Sequence, residues 1–237
     1  MPPISAQGLL SLWERGRELH PVDRALTLLA AAQPGTPAED LALLTLGARN
    51  ARLIALREQT FGPRLDVVAD CPRCAEQLEF GLSTFDLTAQ PAEGEDGAAL
   101  EVESGGQRLG FRPVDSRDLA AIVGCQDPGE ARQLLARRCL SEPNAGDLPP
   151  DVVDELARRL AECDRQAEIL LDLACPSCGH AWQLAFDIGS FLWAELSAEA
   201  QRLFHEIDAL ARAYGWREAD ILALSPARRH LYLEMVS

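Results

Sequence analysis

Val67-Val68-Ala69-Asp70-Cys71-Pro72-Arg73-Cys74-Ala75-Glu76-Gln77-Leu78-Glu79-Phe80-Gly81-Leu82 is answered 104 residues later by Leu171-Asp172-Leu173-Ala174-Cys175-Pro176-Ser177-Cys178-Gly179-His180-Ala181-Trp182-Gln183-Leu184-Ala185-Phe186. Both copies carry Cys-Pro-x-Cys, and the likeness extends into the flanks. Val67 and Ala69 precede the first pair, and Leu171 and Leu173 hold the same places before the second. Leu78, Phe80 and Leu82 correspond to Trp182, Leu184 and Phe186. Apolar residues alternating with period two predict strands on both sides of each turn. The expected result is two strand–knuckle–strand units, each offering two thiolates.

Four thiolates in two pairs suit the tetrahedral preference of Zn²⁺, so Cys71, Cys74, Cys175 and Cys178 are the predicted ligands of one zinc ion. Residues 75–174 between the pairs exceed the usual ribbon spacing, which predicts a domain inserted between the half-sites. A four-thiolate site leaves no position for water or substrate, so the zinc is expected to be structural. The alternatives are two unrelated reduced dithiols or a redox site, since strand then Cys-Pro-x-Cys also opens a glutaredoxin-like active site. That site needs a helix directly after the motif, whereas Trp182 to Ile188 reads as strand. His180 is expected to face solvent rather than to replace a cysteine. Cys125, Cys139 and Cys163 lack metal spacing and are expected to be buried thiols.

The chain has 237 residues with 22 basic and 37 acidic side chains, a formal charge of −15. That balance repels phosphate backbones and argues against nucleic-acid binding. Seven cysteines, an odd count, without a signal peptide predict a reducing cytoplasm. No apolar stretch reaches the length needed to span a bilayer, so membrane insertion is not expected.

Around the ribbon the chain reads as helix. Leu9, Leu12 and Trp13, then Ala25, Leu28 and Leu29 after a break at Pro21, have helical spacing. Thr36-Pro37-Ala38-Glu39 predicts a capping box, Leu46-Gly47 an interruption, and Phe61-Gly62-Pro63 a helix end. Arg49, Arg52 and Arg57 read as a solvated face, or else as a docking surface for an acidic partner. Residues 88–98 have linker composition. Ser104-Gly105-Gly106 predicts a hairpin turn, and three helices follow, from Asp115 or Ser116, over about 129–140 and over 150–163. At the end of the chain, Leu203, Ile207, Leu210, Ala211 and Tyr214 form a helical stripe with Gly215 as its stop. A short helix over Arg217 to Leu222 and a last one from Ser225-Pro226 complete the chain. The predicted fold is α+β and mostly helical, with a small antiparallel zinc-ribbon β unit and an inserted β-hairpin plus helices. Its regions are an N-terminal helical region (1–63), the ribbon (64–87 and 165–190), the insert (88–164) and a C-terminal helical region (191–237).

The string Phe191-Leu192-Trp193-Ala194-Glu195-Leu196 leads through His205-Glu206-Ile207 to Leu210-Ala211-Arg212-Ala213-Tyr214-Gly215-Trp216. Glu218-Ala219-Asp220-Ile221-Leu222-Ala223-Leu224-Ser225 and Arg228-Arg229-His230-Leu231-Tyr232-Leu233 follow. Together with Leu12-Trp13-Glu14-Arg15-Gly16, Asp23-Arg24-Ala25-Leu26, Leu56-Arg57-Glu58-Gln59-Thr60-Phe61-Gly62, Phe111-Arg112-Pro113, Ser116-Arg117-Asp118-Leu119 and Arg138-Cys139-Leu140, this resembles the baseplate or tail-assembly proteins of contractile-tailed phages and phage-derived contractile injection systems. The paired Cys-Pro-x-Cys marks a subgroup. The resemblance implies a non-enzymatic structural or assembly protein, cytoplasmic during assembly, that binds neighbouring baseplate, hub or tail proteins and can become part of the particle. Trp216, Arg228, Arg229 and Tyr232 are the predicted partner-binding residues, because aromatic and arginine side chains cluster there at a chain end. A zinc-ribbon, helix-turn-helix regulator of nucleic acid and a Cys-Pro-x-Cys redox protein are the alternative functions.

Overall fold

A computed structural model describes residues 4–88, 100–104, 106–142 and 146–236. Residues 89–98 of the predicted linker and Gly105 of the predicted hairpin turn lie outside them. The described residues form an α+β fold dominated by helices.

Helix α1 (Ala6–Gly16) starts where the Ser5 hydroxyl accepts the Gly8 N–H, a side-chain cap for a donor the helix leaves unpaired. Helix α2 (Pro21–Ala32) begins on a proline, whose missing N–H costs nothing at that position. Helix α3 (Ala38–Ala42) has no side-chain cap. The capping box expected from Thr36 therefore does not form: Pro37, extended at φ −56° and ψ 142°, is itself the N-cap and leaves Thr36 one residue too early. Helix α4 (Leu46–Phe61) is capped by Thr45, which accepts from Ala48. The interruption predicted at Leu46-Gly47 lies just before them. Gly62, at φ +89°, ends the helix where a side chain would be strained.

Strands β1 (Arg64–Asp70) and β2 (Gln77–Ser83) form the first hairpin, followed in the insert by β3 (Glu101–Ser104) and β4 (Gln107–Gly110). Helices α5 (Ser116–Ile122), α6 (Pro128–Cys139) and α7 (Pro150–Cys163) come next. Strands β5 (Leu170–Ala174) and β6 (Ala181–Ala185) form the second knuckle hairpin. Strand β6 is shorter than the predicted run to Ile188, because Asp187 caps helix α8 (Ile188–Tyr214) by accepting the Gly189 N–H. Gly215 then adopts the left-handed conformation at φ 67° and stops α8. Helices α9 (Glu218–Leu222) and α10 (Pro226–Glu234) finish the chain.

The main core buries one face of α1, α2, α4 and α8, with Leu12, Leu28, Leu53, Leu56, Leu192 and Leu196 fully enclosed. Strand β1 contributes Leu65 and Val67 to the same core, and β5 contributes Leu171. Chain segments before and after the insert thus share one interior. The insert has its own core, in which Val102 and Phe111 meet Ala136, Leu140, Val153 and Leu156. Its polar centre is Asp118, fully buried, which accepts from Arg112 at 2.6 and 2.9 Å and from Arg138 at 2.9 Å. Burial by itself penalises the Asp118 carboxylate. The two guanidinium groups and the Asp115 N–H outweigh that and hold its pKa below the ordinary value.

The insert is tied to α4 at both ends. The Leu46 N–H donates to the Val114 carbonyl at 2.9 Å, and the Gly47 N–H donates to the Asp164 carboxylate at 2.9 Å. Asn50 Nδ2 reaches the carbonyls of Gln166 and Ala167. A Cβ on Gly47 would lie 1.7 Å from Asp164, so only glycine admits this contact.

Two of the three arginines read as a solvated face of α4 do not face solvent, while Arg52 is half-buried. Arg49 and Arg57 are buried, and Arg57 makes a two-pronged pair with Glu195 of α8 at 2.7 and 2.9 Å. A buried guanidinium needs such partners to offset its lost hydration. Arg49 instead donates to the neighbouring Asn50 amide oxygen, and burial lowers its pKa.

Candidate metal centre

Each Cys-Pro-x-Cys closes its hairpin in the same way. The Cys71 N–H donates to the Glu76 carbonyl and the Ala75 N–H returns to Cys71 O, at 2.8 and 2.9 Å. In the second knuckle, Cys175 donates to His180 O and Gly179 donates to Cys175 O, again at 2.8 and 2.9 Å. These turns point both cysteines of a pair to one side, which is what a two-thiolate half-site requires. Ala75 and Gly179, equivalent in the repeat, both have positive φ.

The two half-sites meet. Cys71 Sγ lies 3.7 Å from Cys178 Sγ, and Cys74 Sγ lies 3.6 Å from Cys175 Sγ. All four sulfurs fall within 4.8 Å of one another, so residues 71, 74, 175 and 178 could bind one metal ion. Cys71 and Cys175 are buried, Cys178 is half-buried and Cys74 is exposed. The first cysteine of each pair is therefore anchored at the end of its hairpin, and the second lies nearer to solvent.

The thiols are electrically uneven. Burial weighs against a Cys71 thiolate, yet the backbone N–H groups of Arg73 and Cys74 and the neighbouring thiols bring its pKa down to about 7. At Cys74 the Glu76 N–H favours the thiolate, but interactions with the Cys178 thiol, burial and the other two thiols together raise its pKa to about 12. Cys71 therefore gives up its proton more readily than Cys74. An ion bound by thiolates displaces thiol protons, so its affinity rises with pH.

His180 is not part of the cluster. Its ring stacks on Trp182 at 6.0 Å, and its backbone carbonyl closes the knuckle. Of the three remaining cysteines only Cys139 is buried, with its pKa raised to about 12 by burial and then by the nearby Asp118 charge. Cys125 is half-buried and Cys163 is exposed at the end of α7, so the expectation of buried thiols fails for both. Cys163 falls on the last turn of α7, beyond the inward Val152, Val153 and Leu156.

The C-terminal residues singled out from sequence separate into two groups. Trp216 stacks on Tyr214 at 4.6 Å and meets Tyr232 edge-on at 4.9 Å, and both Trp216 and Tyr232 are half-buried against the main core. Arg229 is buried and bound to Glu206 of α8 at 2.6 Å. That correction removes Arg229 from any surface contact: its role is to hold α10 against α8. Arg228 is exposed. What sequence reasoning missed is its company. Leu231 and Met235, three and seven residues on, are 57% and 66% exposed, so the last turn of α10 and its C-cap residue show two apolar side chains near exposed Arg228. The Leu231–Met235 spacing was the available signal.

The chain matches no protein-family model, no curated protein and no solved structure. Among the described residues, no helix is long and apolar enough to cross a membrane.

Proposed function

We propose that the protein is a non-enzymatic assembly component of a contractile-tail baseplate, held in shape by one structural zinc ion. The observation that carries the structural-zinc part of the reading is the convergence of four cysteine thiols from two knuckles far apart in sequence. Zinc–sulfur bonds of about 2.3 Å in a tetrahedron put sulfurs roughly 3.8 Å apart, close to the 3.6 and 3.7 Å found here. Such a site is coordinatively closed and suits a clamp rather than a catalyst. It joins the stretch before the insert to the stretch after it, so it fixes both hairpins against one core.

The baseplate assignment is supported by the resemblance carried by residues 191–233 and its companion segments. The exposed side of α10 and its C-cap, with Arg228, Leu231 and Met235 at positions i, i+3 and i+7, supplies a surface on which a neighbouring subunit could seat. Replacing Leu231 and Met235 by Asp leaves the buried side of α10 intact. Expressed with the other tail proteins, this variant is expected to fold normally and to be lost from purified particles. Normal incorporation contradicts this contact surface, and absence of the wild-type protein from every tail or baseplate assembly intermediate contradicts the reading itself.

A further inference from the structure

Strands β2 and β5 belong to different two-stranded sheets and are not paired with each other. Between them runs a groove of about 540 Å³, lined by Gln77 to Phe80 and Leu82 on one side and by Leu170 to Ala174 on the other. Consecutive residues of both strands line it. A strand seen face-on would contribute only every second residue, so each strand presents its edge to the groove.

The hydrogen-bond register says which backbone groups those edges carry. The Thr84 N–H donates to Pro63 O and the Cys71 N–H to Glu76 O, and the register between them pairs Leu65 with Leu82, Val67 with Phe80 and Ala69 with Leu78. Antiparallel pairs alternate in the direction of their backbone bonds. Gln77, Glu79 and Gly81 therefore turn their N–H and C=O groups away from β1. The same reasoning, from Cys175 donating to His180 O and Phe186 donating to Ile169 O, turns Leu170, Asp172 and Ala174 away from β6.

We propose that this groove accepts an extended segment of another protein by β-strand addition, pairing with β2 on one side and β5 on the other. An added strand would join the hairpins into one five-stranded sheet. Two strands with one between them stand about 9.5 Å apart, and exposed edges of this kind are templates for pairing. The faces define the partner. One face of the groove is apolar, with half-buried Leu78, Phe80 and Leu173 beside buried Leu171. The charged side chains that line it among the described residues, Glu79 and Asp172, are both acidic and exposed, in a chain of formal charge −15. The fitting occupant alternates apolar with basic residues. The groove stands on the strand geometry and goes beyond the assembly reading: it holds for whatever particle or complex the protein belongs to.

The test uses the full-length, metal-loaded protein and a blocked hexapeptide, Lys-Val-Lys-Val-Lys-Val, as probe. Amide hydrogen exchange is expected to slow at Gln77, Glu79, Gly81, Leu170, Asp172 and Ala174 when the probe binds. A probe N-methylated at its lysines, which lacks the donors for one edge, and a Glu-Val-Glu-Val-Glu-Val probe are expected not to bind. The exposed double substitution Glu79→Lys with Asp172→Lys, checked for an unchanged circular dichroism spectrum, is expected to weaken the basic probe by about tenfold or more. No binding of the basic probe, equal binding of the acidic one, or protection confined to other segments overturns the proposal.

Discussion

Ala75 and Gly179 occupy the same place in their two knuckles and share a left-handed backbone, with φ of 57° and 68°. Glycine adopts that conformation freely, whereas a Cβ costs roughly 1–2 kcal/mol there. No atom lies within 4 Å of a Cβ built on Gly179, so the cost is conformational and not a clash.

Gly179→Ala is therefore expected to destabilise the metal-loaded protein by about 1 kcal/mol. Ala75→Gly is expected to stabilise it slightly, because relief of strain exceeds the added entropy of the unfolded chain. Denaturant midpoints of the two variants measure both. No loss in Gly179→Ala, or a clear loss in Ala75→Gly, would contradict a left-handed backbone shared by the two knuckles.

The pair Arg57–Glu195 joins α4 to α8 across 138 residues, and the Arg57 side chain is only 3% exposed. Arg57→Ala leaves Glu195 without its partner and Gly62 O without its 2.6 Å donor. A loss of about 3–5 kcal/mol is expected. The double change Arg57→Met with Glu195→Leu, which removes both charges and keeps the volume, is expected to recover much of it. Equilibrium unfolding of the two variants decides this.

Asp118 sets an acid limit on the insert. Its folded-state pKa is depressed below the unfolded value of about 3.9. The stabilisation is therefore fully present above that value and is lost as pH falls through the lower folded-state pKa. The charged groups around it are Arg112, Arg138 and Asp115, with the Cys139 thiol close by. Between neutral pH and pH 5 stability from this group is expected to stay flat, then decline below about pH 4. Asp118→Asn is expected to cost about 3 kcal/mol at pH 7 and to remove that part of the acid response. Thermal midpoints of both proteins across pH 3–7 check it.

Much of this architecture is legible in the sequence because its signals are local. Period-two alternation around each Cys-Pro-x-Cys needs only neighbouring residues, and both hairpins stand where it puts them. The stripe through Leu203, Ile207 and Leu210 likewise reports the buried face of α8 directly. The misreadings have non-local causes. Arg57 and Arg229 look like surface cations until Glu195 and Glu206 are brought to them by the packing of α8. Thr36-Pro37-Ala38-Glu39 is a local exception: it has the spacing of a capping box, but the extended ψ of 142° at Pro37 makes that residue the cap. The convergence of the cysteine pairs was inferred from their repetition, whereas the groove between β2 and β5 depends on a separation that no local pattern encodes.

The central claim is that two distant motifs build one closed zinc site. The most direct test is metal content of the purified, reduced protein, compared with Cys71→Ser and Cys175→Ser. The prediction is one zinc per chain, lost in either variant, with stability falling on chelation by an amount on the order of 10 kcal/mol at neutral pH. A protein that holds no metal, or one that keeps it after either substitution, contradicts the account.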